Sequence, residues 1–231
     1  GRLEGRYHHG QGEKPPVALV LHPHPLHGGT MNNKIAYSIY KNLVNNGFSV
    51  LRFNFRGVGK SQGKFDDGIG ELADATTAMD WLQDQNQNSS IFWVAGFSFG
   101  SWIALQLLMR RPEIMSFITV SPPANNHDFS FLSPCTASGL IIQGDKDTIV
   151  PEQYPAKLAE KLSHQKDVEI DYDVITGADH FFRDKIHILD KHIDEFTKLR
   201  LEGDRDIVSK RRVGKRRRKS RKSKMKAELK T

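Results

Sequence analysis

The sequence predicts an α/β fold, a mostly parallel sheet flanked by helices on both faces. Two observations carry this. Along residues 1–200, short apolar runs rich in β-branched and aromatic residues alternate with longer segments of helical period. The runs are apolar nearly throughout, which is the pattern of strands covered on both sides rather than on one.

The elements follow in order. "RLEGRYHH" (2–9) is expected as an antiparallel edge strand. "VALVLHP" (17–23), "FSVLRFNF" (48–55), "IFWVAGF" (91–97), "MSFITVSP" (115–122), "SGLIIQGD" (138–145) and "VEIDYDVI" (168–175) read as strands. Helices are expected over roughly 31–46, 71–85, 99–110, 152–163 and 184–199, with Thr30 as the N-cap of the first. In such a sheet, reactive residues belong just past the C-terminal ends of the strands.

Charge divides the chain. Residues 201–231 hold 14 Lys/Arg against 4 Asp/Glu, whereas residues 1–200 hold 20 against 23. The basic character therefore belongs to the tail, and the boundary is expected near residue 200. Beyond it, a basic segment with almost no apolar periodicity is expected to be disordered. Residues 210–226 are dense enough in cations for sequence-independent contact with a polyanion (RNA, DNA or anionic lipid), but carry no aromatic residue to stack on bases. A folded scaffold whose task is binding through that tail, with any catalysis secondary or lost, is one of two functional readings. No run of eighteen apolar residues occurs, so no membrane-spanning helix is expected. The single cysteine, Cys135, excludes an internal disulfide and fits a cytoplasmic setting.

The strongest chemical signal is "GFSFG", residues 96–100, set between the strand "IFWVA" and the helix "SWIALQLLMRR". G-x-S-x-G at a strand–helix junction is a nucleophile elbow, in which Ser98 is exposed at a helix N-terminus. A serine hydroxyl needs a base and an orienting group. "GDKD" places Asp145 and Asp147 after one strand, and "GADHFF" places His180 after the next. The order Ser, Asp, His is that of this scaffold.

With these motifs in hand, the chain resembles the α/β-hydrolase superfamily over nearly all of residues 1–200. It is particularly similar to a small uncharacterised bacterial branch bearing "HPHP…GGTMNNK", "RFNFRGVGKSQG", "GFSFG" and "GADHFF". The resemblance implies a catalytic triad of Ser98, Asp147 and His180, with Asp145 as the alternative acid. It implies hydrolysis of a small ester, thioester, lactone or amide through an acyl-enzyme. The expected type is a carboxylesterase, with thioesterase, dienelactone hydrolase-like and aminopeptidase-like activities open. A haloalkane dehalogenase or epoxide hydrolase would be expected to carry aspartate at the elbow, so Ser98 argues against both. No cofactor is called for, and oligomeric state is left open.

The segment 124–137 is too short for a cap domain. An open site is therefore expected, with Phe129, Phe131 and Leu132 as an apolar wall and His27 nearby. In "RFNFRGVGKS", Arg56 and Ser61 are expected to brace a turn, with an anion-binding Arg56 as the lesser reading.

"LHPHPLHGGT" (21–30) holds His22, His24 and His27, a density that suggests a metal. It also follows a strand where the scaffold builds half of its oxyanion hole. Phe99 supplies one backbone N–H. Pro23 and Pro25 have none to give, which leaves His24 as the second donor and Leu26 behind it. No cysteine or carboxylate cluster completes a ligand set, so the loop is read as a rigid backbone element and no metal is assigned.

Overall fold

A computed structural model describes the backbone of residues 1–228 and the side chains of residues 1–210. Seven strands form one sheet in the order β1-β3-β2-β4-β5-β6-β7. They are β1 (Gly5–His8), β2 (Val17–Leu21), β3 (Ser49–Phe53), β4 (Phe92–Phe97), β5 (Ile114–Val120), β6 (Ser138–Gly144) and β7 (Ile170–Ile175). Every neighbouring pair is parallel except β1–β3, which is antiparallel as expected for the edge strand.

Five helices cover the sheet: α1 (Lys34–Asn45), α2 (Ile69–Gln85), α3 (Phe99–Arg110), α4 (Gln153–Ser163) and α5 (Ile186–Glu228). The period of two in each strand divides the core between the two faces. Val17, Leu19 and Leu21 of β2, with Phe92 and Val94 of β4, face α2, α3 and α4. Ala18 and Val20, with Trp93, Ala95 and Phe97, face α1 and α5. Both layers are fully enclosed, which accounts for the unbroken apolar runs.

Two expectations need correction. Helix α1 begins later than expected, with Asn33 as N-cap, its Oδ1 accepting from the amides of Ile35 (2.9 Å) and Ala36 (3.3 Å). Thr30 instead caps a preceding turn, accepting from Asn32 N. The boundary expected near residue 200 falls inside α5. There Asp204 is wholly buried, accepting from Trp93 Nε1 at 2.7 Å and Ser116 Oγ at 3.0 Å and pairing with Arg200. Leu201 is buried as well. Thus the first turns of the basic segment belong to the domain. The backbone continues as helix through Glu228. Lys, Arg, Ala and Glu are adequate helix formers, so a helix needs no apolar period there. The side chains of the expected polyanion contact, beyond Lys210, lie outside the described residues. Among the described residues, no helix is long and apolar enough to cross a membrane.

The topology creates the site. From β2 the chain moves to β3 on one side, and then to β4 on the other. This reversal opens a crevice beyond the C-terminal ends of β2 and β4, the place where open α/β sheets bind ligands.

Candidate active site

Ser98 follows β4 directly and is the N-cap of α3, with φ 52° and ψ −120°. Such a backbone is strained for a residue with a side chain, and the surroundings enforce it. A Cβ on Gly96 would lie 2.3 Å from Gly100 O, and one on Gly100 would lie 2.4 Å from Leu21 O. Both glycines are therefore required by close backbone approach. Ser98 N donates to Val120 O at 2.8 Å, which pins the turn to β5.

The structure brings three of the expected side chains into one chain of hydrogen bonds. His180 Nε2 lies 3.2 Å from Ser98 Oγ, and His180 Nδ1 lies 2.7 Å from Asp147 Oδ2. Asp147 follows β6 and His180 follows β7, so adjacent parallel strands hold them side by side. The other carboxylate oxygen of Asp147 accepts from the amides of Ile149 (2.9 Å) and Val150 (2.7 Å). Gln143 Nε2 adds a bond to Oδ2 at 3.0 Å. Burial by itself would raise the pKa of this carboxyl. The bonds from His180, Val150 and Gln143 outweigh it and hold the carboxyl below its ordinary value. Asp145 takes no part, because its Oδ1 accepts from Gly177 N at 2.6 Å and staples two loops.

The loop of residues 21–30 places its three histidines differently. His22 is wholly buried, and Phe55 N donates to its Nε2 at 3.0 Å. That fixes the tautomer, so Nδ1 carries the proton and donates to Pro23 O at 2.7 Å. Both ring nitrogens are used, and His22 acts as a structural tie between the loop and the segment after β3. His24 Nδ1 accepts from Leu26 N at 3.2 Å, so the amide of the second candidate donor is already committed. Among the described residues, no protein acceptor takes the amide of His24 or of Phe99. His27 is exposed and stacks on His24, with ring centroids 4.3 Å apart. Gly29 is needed here, since a Cβ would lie 2.1 Å from Pro23 O.

Burial pushes the pKa of His22 down to about 4. A histidine depressed in this way takes up its proton first in the unfolded chain. Its effect is absent above the unfolded value, and stability falls as pH drops below that value toward 4. A shift from 6.5 to about 4 corresponds to a loss of about 3 kcal/mol across that window. Replacing His22 with glutamine, which can supply one acceptor and one donor, should flatten the dependence of Tm on pH between 7 and 4.5. Parallel pH curves for the two proteins would remove the assignment.

The apolar wall expected from Phe129, Phe131 and Leu132 is placed differently. Phe129 and Leu132 are buried in the core beside α3, and only Phe131 is half-exposed, stacked on Phe129. They anchor the loop because the short segment 124–137 must close over the end of the sheet. Arg56 is likewise structural, with Nε and Nη2 bonded to Asp74 at 3.0 and 2.8 Å. Ser61 Oγ donates to Asn54 O at 2.6 Å and braces the same turn.

Side chains not singled out from the sequence line the site instead. Phe65, Trp102 and His127 are half-buried around the enclosed ring of Phe99. Trp102 stands one helical turn from Ser98, a spacing that could have drawn attention to it. On the opposite side, the exposed ring of Phe181 meets that of His180 edge-on at 5.2 Å. A cavity of about 370 Å³ opens there between Lys34, Ile35, Phe181 and Arg183. A larger one, about 790 Å³, lies against α2 at Leu3, Tyr7, Phe53 and Trp81 and contains none of the three hydrogen-bonded residues.

Comparison with known proteins places the chain in a family. The chain matches the family described as alpha/beta hydrolase fold over residues 26–137 and the prolyl oligopeptidase family over residues 118–202. An uncharacterized protein of Rickettsia prowazekii is 54% identical over 200 residues, covering 85% of this chain and 84% of that one. The structure of a protein of unknown function from Agrobacterium tumefaciens superposes with a TM-score of 0.86 at 50% identity, covering 88% and 93% of the two chains. A Xanthomonas campestris protein described as an a/b serine hydrolase without lid is 32% identical, with a TM-score of 0.76 over 85% and 88%. This chain belongs to the α/β-hydrolase fold family.

Proposed function

We propose that the protein is a serine hydrolase of carboxylesterase type, acting on small acyl esters through an acyl-enzyme. The observation that carries this reading is the continuous path from Ser98 Oγ through His180 to Asp147. His180 Nε2 removes the Ser98 proton as Oγ attacks the carbonyl carbon. Asp147 accepts from Nδ1–H, keeps Nε2 free as the base and stabilises the imidazolium. The oxyanion is held by the amides of Phe99 and His24, at the junction of a helix N-terminus and a proline-stiffened loop. His180 then protonates the leaving alkoxide. A water activated by the same nitrogen releases the acid and restores Ser98. With no cap segment between β5 and β6, the substrate enters from open solvent.

A fluorophosphonate tests this directly, because it reacts preferentially with an activated serine. Wild-type protein should gain one label, located at Ser98 by peptide mass, and Ser98→Ala should gain none. An unlabelled wild-type protein, or equal labelling of both, would overturn the proposal.

A further inference from the structure

We propose that Phe65, Phe99, Trp102 and His127 form the acyl side of this site and select a planar aromatic acyl group. The inference rests on the serine hydrolase reading above and names the substrate class for it. The chemistry assigns the sides. His180 must protonate the leaving group, so the alcohol departs toward His180 and Phe181. The carbonyl oxygen points at the amides of Phe99 and His24, and the acyl substituent takes the side away from His180, whose ring neighbours are Phe97 and Phe181 rather than Phe99 or His24. The rings of Phe99 and His24 touch, with centroids 5.0 Å apart.

From this pair an aromatic surface extends over three loops and α3. Phe65 lies 4.9 Å from His24 and 5.9 Å from Phe99. Trp102 lies 5.7 Å from Phe99, and His127 lies 4.4 Å from Trp102. Trp102 is fixed in place, its Nε1 donating to Asp128 O at 3.2 Å. Gly68 lets the loop before α2 close on the indole, since a Cβ there would lie 2.3 Å from the ring. Phe99 is 2% exposed and forms the floor, whereas Phe65, Trp102 and His127 remain half-open to solvent.

Ordinary core packing does not account for this arrangement. The core aromatics Trp93, Phe97 and Phe117 are almost completely enclosed. The open rings are instead gathered at the C-terminal edge of the sheet, where a contiguous apolar surface marks a binding site. Burial lowers the pKa of both His24 and His127, so this surface is uncharged at neutral pH and suits a neutral ring. Rings packed edge and face at these distances favour a flat guest over a flexible alkyl chain.

The test compares kcat/KM for p-nitrophenyl acetate, butyrate, octanoate, benzoate and cinnamate, so that the leaving group is constant. The aromatic esters should exceed acetate and octanoate by about 10-fold, and Trp102→Ala or His127→Ala should lower the cinnamate-to-acetate ratio by about 10-fold. His127 is on a half-exposed loop, so its variant serves if the tryptophan variant fails to fold. Preference for octanoate, or equal losses on all esters in both variants, would overturn the assignment while leaving the hydrolase reading intact. Absence of Ser98-dependent turnover with every ester would overturn the hydrolase reading and the acyl wall with it.

Discussion

Alanine at position 180 is expected to lower kcat for Ser98-dependent ester hydrolysis by about 10⁵- to 10⁶-fold. The size follows from the chemistry. Without the imidazole, Ser98 must attack as a neutral alcohol, and nothing protonates the leaving alkoxide. The proposed oxyanion amides and acyl surface remain, so a residual rate above that in water, about 10³-fold, should persist. The fold should survive, because among the described residues the His180 side chain hydrogen-bonds only to Ser98 and Asp147, and Phe182 independently anchors the loop in the core. Circular dichroism and Tm establish that survival, and a stopped-time ester assay gives the rate. A loss of less than about 10-fold would mean that Ser98 is activated by another group or not at all.

Asparagine at position 147 should cost about 10⁴-fold in kcat without unfolding the protein. The amides of Ile149 and Val150 require an acceptor from residue 147, and the side-chain oxygen of asparagine will turn toward them. Its NH₂ group then faces His180 Nδ1 and forces that nitrogen to accept. The proton moves to Nε2, the atom that should be the base. The same substitution at Asp145 should change kcat by less than about 3-fold, since that side chain serves Gly177 N. Comparable losses at both positions would contradict the assignment of Asp147 as the orienting acid.

Much of this site was legible in the linear sequence because its parts are locally determined. An elbow needs two glycines, a serine and a strand–helix junction, and all of these lie within a few consecutive residues. Prolines remove amide donors whatever the tertiary context, which singled out His24 in a loop that otherwise suggests metal binding. The apolar runs reported burial on both faces, and so the layered sheet.

Choices between neighbours were not legible. Asp145 and Asp147 share one turn and are ranked only by resemblance; in the structure Asp147 meets the histidine 33 residues away, while Asp145 accepts from Gly177 N. The phenylalanines of residues 129–131 looked suited to a pocket. Closing a short loop over the sheet turned Phe129 inward and left His127 at the surface of the site. The basic composition of residues 201–231 hid Asp204, whose burial depends on Trp93 and Ser116 reaching it from other strands. Among the three histidines of the opening loop, spacing alone is silent on roles. His22 became a buried tie because Phe55 donates to it, and His24 lines the site because Phe99 packs beside it. Sequence determined the scaffold and the order of its reactive groups, since periodicity and turn chemistry act over a few residues. Tertiary structure decided which side chain turns inward and which meets a partner, because those contacts join residues that the chain keeps far apart.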